Sequence, residues 1–400
     1  MSVPVYVSGL GIISAIGRNV SESIHSFSEH LSGIGPCQYL DTIHKDVFPL
    51  GEVKMTNAEL ADLHSLDKRL SRTILLSYHA ARAALDSIPS DIISRFRTGF
   101  ISASSVGGMD KTEYFYEDFI RDPMSGDLRD VMFHDCGKAT DYVAERLKIK
   151  DFITTVSTAC SSSANSIMLG ARLIRAGKLD IVIAGGVDAL TRFTLNGFNS
   201  LMIVDKEQCR PLDASRVGLN LGEGSAYVVL MSGSAQKASG LEAYAVLSGY
   251  ANTNDSYHQT ALSSEGNGPY FAMTNALGMS GLRPDEISYI NMHGTGTQNN
   301  DMAEGKAVER IFDPHYPRLS STKSFTGHTL GASGAIEAVF SSLSVKHGYL
   351  YPNFQYANQM QDLKIIPETA FSIMPDVKNV LSNSFGFGGN CTSLIFSKAT

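Results

Sequence analysis

The stretch STACSSS at residues 157–163 sets one cysteine, Cys160, among small hydroxylated residues, directly before apolar positions with helical spacing. Ala164, Ile167, Met168, Ala171 and Ile174 share a face of that expected helix, and Gly177 suits its end. Cys160 then falls at or just before the first turn, where free backbone N–H groups and the helix dipole favour a thiolate, the reactive form. The same position also suits a small buried hydrophobe. A nucleophile needs partners that handle protons and charge, and two histidines qualify. His293 lies in INMHGTGTQNNDMAEG, immediately after an apolar strand, and His328 in STKSFTGHTLGASGAIEA, just ahead of a helix. Loops at strand ends deliver side chains into crevices, although each histidine alone reads more readily as structural. GTGT lacks both the G-x-G-x-x-G pattern with a later acid and the GK[ST] ending, so a nucleotide site is not expected.

The elements that must position these residues alternate between strand and helix signals. Residues 3–13, 179–190, 226–232, 243–255 and 392–398 read as buried strands, and 285–297 as a strand running into a glycine loop. Residues 70–85, 267–282 and 333–348 have helical spacing. The strand, glycine and turn order of the N-terminus returns after residue 240, which predicts an α/β protein with an internal pseudo-repeat, halves 1–240 and 241–400. The polar stretch 110–127 is expected to be a surface excursion around a site or a subunit contact.

Bulk properties agree with two packed units. The chain has 400 residues, more than the roughly 250–300 at which one core stops growing. Hydrophobic residues make up 43% and charged residues 18%, an ordinary globular balance. A net charge of −7 gives no overall attraction to nucleic acid or an anionic membrane, so an acidic partner must dock on a local basic surface. Five widely spaced cysteines without a CxxC pair argue against a disulfide framework or a zinc site and for a reducing compartment. The apolar N-terminus lacks a basic leader, and no uncharged run reaches membrane-spanning length. A cytoplasmic protein is expected.

STACSSS, RPLDASRVGLNLGEGSA (210–226), HGTGTQNNDMAE (293–304), KSFTGHTLGASGAIE (323–337) and NSFGFGGNCTSLIF (383–396) stand in the order and spacing of the β-ketoacyl-acyl carrier protein synthases. The resemblance spans nearly the whole chain and is to the elongating branch, whose Cys-His-His set matches Cys160, His293 and His328. It implies the thiolase fold, two pseudo-repeated halves in a five-layered αβαβα sandwich. It implies acyl transfer from carrier protein to Cys160, then condensation with decarboxylated malonyl-carrier protein. The histidines would stabilise the enolate. Lys323 matches the family lysine, with Glu304 expected to pair with it. The backbone N–H groups of Cys160 and Phe387 match the oxyanion hole, and Phe387 the gating phenylalanine. Thr295 and Thr297, with Thr260 as a third contact, match residues that bind the phosphopantetheine arm; Val106 resembles the position at the acyl-pocket floor. Asp301 and His258 match motif positions but read as structural.

Lys68, Arg69 and Arg72 in DKRLSR resemble the family's carrier-protein docking region, against the plain reading of a solvated basic face. The implied partners are acyl carrier protein and a second copy in a homodimer, or a sister ketosynthase-like subunit in a heterodimer. No bound cofactor or metal is implied. The chain departs from the family's common GFGGTN in reading GFGGNC, so Asn390 and Cys391 replace residues that brace the gating loop. Two further readings stand beside the condensing enzyme: a non-catalytic partner of the chain-length-factor type, which normally lacks the cysteine, and a thiolase, which would use a second cysteine such as Cys391 as base.

Overall fold

The computed structural model describes residues 3–399. Twelve strands run β1 (Val5–Ser14), β2 (Thr98–Ala103), β3 (Phe152–Val156), β4 (Ile181–Asp188), β5 (Gly224–Ser232), β6 (Ala245–Asn254), β7 (Tyr289–Asn291), β8 (Arg318–Ser320), β9 (Tyr349–Leu350), β10 (Ser372–Ile373), β11 (Asn379–Phe385) and β12 (Asn390–Ser397). β9 and β10 pair separately; the other ten follow the order β3-β2-β4-β5-β1-β6-β12-β11-β7-β8. Counted outward from β1, the N-terminal strands stand first, fifth, fourth, second, third. Counted outward from β6, the C-terminal ones repeat that order. Strand directions repeat as well: β1/β5, β4/β5, β6/β12 and β11/β12 are antiparallel, while β2/β3, β2/β4, β7/β8 and β7/β11 are parallel.

The two sets of strands touch through β1 and β6 at only two residue pairs, Tyr6 with Val246 and Val7 with Ala245. Between them lie two helices, Ser162–Arg175 and Ser333–His347, which pack on each other and on strands of both halves. The second is buried from Ser333 through Val345, as expected for a helix apolar on all sides and enclosed between layers. Helix Arg72–Leu85 covers the outer face of β1 and β5; helix Asn267–Ser280 covers β6 and β12. Alternating helix and strand layers result. The helix on β1 lies so close that a Cβ at Gly11 would stand 2.0 Å from the Ala80 carbonyl oxygen, which is why the first strand carries glycines.

The polar stretch 110–127 is mostly helix, Met109–Arg121, with no fully buried side chain. It is tied to helix Arg192–Ser200 by Glu113, which accepts from the Phe193 backbone N–H at 2.5 Å, and by Glu117, 3.1 Å from the Arg192 guanidinium. No helix of the described residues is long and apolar enough to cross a membrane. All five cysteines are free.

Candidate active site

Equivalent strand ends of the two halves supply the site. The turn after β3 carries Cys160; the loop after β7 carries His293; the segment after β8 carries Lys323 and His328; β11 leads into Phe387. Parallel strands present their carboxyl ends to a common crevice. Cys160, His293, His328 and Phe387 line one cavity of about 290 Å³, together with Thr260, Thr295 and Thr297. His293 and His328 stand edge to face, ring centroids 5.4 Å apart.

Cys160 sits on a tight turn. Ala159 before it has φ 52°, a left-handed conformation that costs a non-glycine residue about 1–2 kcal/mol. The turn is closed by the Ser162 N–H donating to the Ala159 carbonyl (3.1 Å) and the Thr158 N–H to Ser162 Oγ (2.8 Å). The helix begins at Ser162, so the cysteine lies two residues ahead of it. The expected resting thiolate does not follow. Burial pushes the Cys160 thiol up to about 11, outweighing the Phe387 backbone N–H, the Lys323 charge and its own N–H, which draw it down. Loss of solvation exceeds what a few dipoles return.

On the other side the groups are held by carboxylates. Glu304, one oxygen to each, accepts the backbone N–H groups of His293 (2.9 Å) and Gly294 (2.8 Å), and also the Asn383 amide at 3.0 Å. Asp301, one turn earlier on helix Gln298–Phe312, accepts the N–H groups of Thr295 (3.0 Å), Gly296 and Leu212, the structural role expected of it. The pairing expected between Glu304 and Lys323 is therefore corrected: both oxygens of Glu304 are engaged by the histidine loop. Lys323 pairs instead with Glu337 of helix Ser333–His347, both side chains 2% exposed. Burial pushes each of these two glutamates up to about 7, against the Lys323 charge at Glu337 and the loop N–H groups at Glu304.

His328 is pushed down to about 3 by burial and then by the Lys323 charge; His293 goes well below its ordinary value for the same reasons, with His328 adding to them. Both imidazoles are neutral at physiological pH. The Leu330 backbone N–H donates to His328 Nδ1 at 3.0 Å, so Nδ1 is an acceptor and the ring proton resides on Nε2. The positive φ of Leu330, 51°, belongs to the turn that brings this N–H back onto the ring. His293 Nδ1 is buried without a partner among the described residues.

Phe387 follows Gly386, whose missing side chain matters because a Cβ there would stand 3.1 Å from the Cys160 nitrogen. Its ring stacks on Phe198 at 5.6 Å. Phe198 and the cavity-lining Ile203 and Leu219 carry no chemical signature in sequence. Asp188, ending β4, was also unforeseen: it is fully buried and accepts from Ser104 Oγ (2.7 Å), the Ser105 and Val106 N–H groups and the Gly331 N–H (2.7 Å), linking both halves. An acid closing an otherwise apolar strand was its only signal.

Three other expectations change. Arg72 is not a docking residue: its guanidinium forms two bonds to buried Glu223 (2.6 and 2.8 Å) and bonds the Val53 and Met55 carbonyls. Lys68 and Arg69 are exposed and paired with Asp62 and Asp67. Val106 lies outside the cavity lining, in the apolar cluster of which Leu219 reaches the cavity. Cys391, the candidate second cysteine, is buried with Leu262, Ala272, Ala303 and Phe385, also outside the lining, and cannot serve as a base there.

The chain matches the N-terminal domain model of β-ketoacyl synthase over residues 2–236 and the C-terminal domain model over 244–357. It is 32% identical over 410 residues to 3-oxoacyl-[acyl-carrier-protein] synthase 2 of Staphylococcus aureus (strain MRSA252), covering 99% of each chain. The chain belongs to the β-ketoacyl synthase family. It is 31% identical over 412 residues to the protein of the same name from Coxiella burnetii (strain RSA 493 / Nine Mile phase I), with 98% of each covered. Among solved structures, the ishigamide ketosynthase/chain length factor superposes with a TM-score of 0.93 at 28% identity over all of both chains. The ketosynthase ApeO in complex with its chain length factor ApeC, from Xenorhabdus doucetiae, gives 0.84 at 31% identity over 99% of this chain and 98% of that one. The expected thiolase fold is thereby established, and the family's condensing acyltransferase chemistry with it.

Proposed function

We propose that this β-ketoacyl synthase loads an acyl group from the phosphopantetheine of an acyl carrier protein onto Cys160 and condenses it with malonyl-carrier protein. The observation that carries the reading is the cavity shared by Cys160, His293 and His328, with the His328 proton held on Nε2. In loading, the Cys160 sulfur attacks the incoming thioester carbonyl. The carbonyl oxygen takes up negative charge facing the N–H groups of Cys160 and Phe387. The thioester bond to the carrier then breaks and the thiol proton leaves with the pantetheine sulfur. Burial keeps the resting thiol protonated, so the nucleophile is released at the moment of attack and not stored.

In the second half, malonyl thioester loses carbon dioxide and its electron pair becomes an enolate. Neutral imidazole N–H groups from His293 and His328 are donors for that oxygen, and donors of this kind are typically worth about 3–4 kcal/mol each. The enolate carbon attacks the Cys160 thioester, the new carbon–carbon bond forms, and the cysteine sulfur leaves and regains a proton. Lys323, held by Glu337, serves as a fixed positive charge that adds to burial in keeping both histidines neutral. Glu304 holds the His293 loop. Thr295, Thr297 and Thr260 bind the phosphopantetheine arm, for which their place in the cavity lining is the support. No bound cofactor is needed.

Lys68 and Arg69 dock the acidic carrier; their exposed ion pairs contribute little and exchange readily. The two halves, 1–240 and 241–400, act as one unit with the nucleophile on the first and the histidines and lysine on the second. β3 is an edge strand with exposed Ile153, which supports pairing with a second ketosynthase-type subunit, a copy of this chain or a sister chain. A cytoplasmic setting fits this chemistry. A non-catalytic partner role leaves the assembled cysteine and histidines without use.

Loading and malonyl decarboxylation separate the roles. Cys160→Ala should accept no acyl group by intact mass, while His293→Ala or His328→Ala should lower decarboxylation about a hundredfold and loading far less. An acyl adduct persisting on Cys160→Ala, or equal losses in both half-reactions for the histidine variants, contradicts the assignment.

A further inference from the structure

We propose that Asn390 is a positioning residue that sets the spacing between the backbone N–H groups of Cys160 and Phe387, the donors for the oxygen that becomes negative in loading, and thereby controls acyl loading; this rests on the reaction proposed above. Those N–H groups belong to different segments, the nucleophile turn for Cys160 and the glycine loop 386–389 for Phe387. Gly388 and Gly389 have φ of 78° and 77°, so that loop has little stiffness of its own. The Asn390 side chain ties it to the nucleophile. Its Oδ1 accepts from Ser161 Oγ (2.7 Å), adjacent to Cys160, from Asn165 Nδ2 (2.9 Å), one turn into the same helix, and from Asn252 Nδ2 (2.7 Å) on β6. Its backbone carbonyl accepts from Gly386 N–H at 2.8 Å, closing the loop that holds Phe387. The tip of the loop is fastened elsewhere, by Gly388 N–H to the Gln259 carbonyl and by Asn254 Nδ2 to the Gly388 carbonyl.

Oδ1 is thus a polar link between the Phe387 loop and the N-terminus of the nucleophile helix that gathers donors from three places, with Thr392 Oγ1 to Asn165 Oδ1 (2.9 Å) a second, further along β12. A threonine, common in the family at this position, has a shorter arm and one hydroxyl. Nothing bonded to the Asn390 side chain belongs to the loops carrying His293 or His328. Displacing an oxyanion donor by even 1 Å costs up to about a hundredfold. Loading is therefore the half-reaction exposed to a change at this residue.

The test uses octanoyl-pantetheine for loading, read as the Cys160 adduct by intact mass, and malonyl-pantetheine for decarboxylation, read as released carbon dioxide. Asn390→Ala should slow loading by about ten- to a hundredfold and leave decarboxylation within about twofold. If the alanine variant does not fold, Asn390→Thr carries the same selective loss at smaller size. Unchanged loading, or equal loss in both half-reactions, overturns the role. A wild-type protein that never loads Cys160 instead overturns the proposed reaction on which it rests.

Discussion

The turn that carries Cys160 follows β3 and the segment that carries His328 follows its counterpart β8, yet the cysteine side and the histidine side are held by opposite means. Around Cys160 the bonds run among Thr158, Ala159, Ser161, Ser162, Asn165 and Asn390, all neutral. Around the histidines the bonds end on Glu304, Asp301 and Asp188, with Lys323 and Glu337 as a buried ion pair. The difference suits the roles proposed for the two sides. A carboxylate beside the cysteine would oppose the developing thiolate, and the distant Asp188 already pushes the thiol upward. Histidines that must stay neutral N–H donors gain from a fixed cation, and a cation buried at Lys323 requires an acid beside it.

The largest expected effect breaks the charged side. Glu337→Ala leaves the Lys323 charge buried and unpaired and should destabilise the fold by about 3–5 kcal/mol in denaturant unfolding. Combining it with Lys323→Met should recover most of that loss; a single variant within 1 kcal/mol of wild type would show that this ion pair holds nothing.

Titration sharpens the contrast next. With the thiol at about 11, alkylation of Cys160 by iodoacetamide should rise about tenfold per pH unit from 7 to 10 without the plateau near 9 of an ordinary thiol. His328 is a base whose folded pKa, about 3, lies below its ordinary 6.5, so the unfolded chain binds the proton first. Its contribution is complete above 6.5 and is lost as pH falls toward 3. His328→Asn should flatten the stability profile over that window, measured against wild type.

The smallest effect belongs to the neutral side. Thr158→Val removes the oxygen that accepts Asn165 Nδ2 at 2.9 Å and should cost about 1 kcal/mol. A loss as large as that of Glu337→Ala would erase the distinction between the two regions.

Long, strongly periodic segments were legible. Helix 70–85 is observed as Arg72–Leu85, 267–282 as Asn267–Ser280 and 333–348 as Ser333–His347; strand 3–13 is Val5–Ser14. Short pieces were not. β2, β3 and β8 have three to six residues, too few for a period to show, and pairing with neighbours decides them; β7, Tyr289–Asn291, is the exception, read as the strand ahead of the His293 loop. Helix Gln298–Phe312 hid behind the polar run QNNDMAEG, although its Asp301 and Glu304 hold the histidine loop.

By itself the chain pointed to Cys160, His293 and His328 as the reacting groups, through the family resemblance of their motifs, and to the repeat in strand order, because those are matters of residue type and order. Tertiary structure alone decided which charge meets which. DKRLSR offers three cations of similar appearance, yet Arg72 turns inward to Glu223 while Lys68 and Arg69 stay in water. Likewise Lys323 has two acids within the same motifs and pairs with Glu337, because Glu304 is already saturated by backbone N–H groups. The helix start at Cys160 promised a thiolate, and burial, which no local pattern encodes, reversed it. Coulomb and desolvation energies depend on distance and enclosure, and those exist only once the two halves have closed on each other.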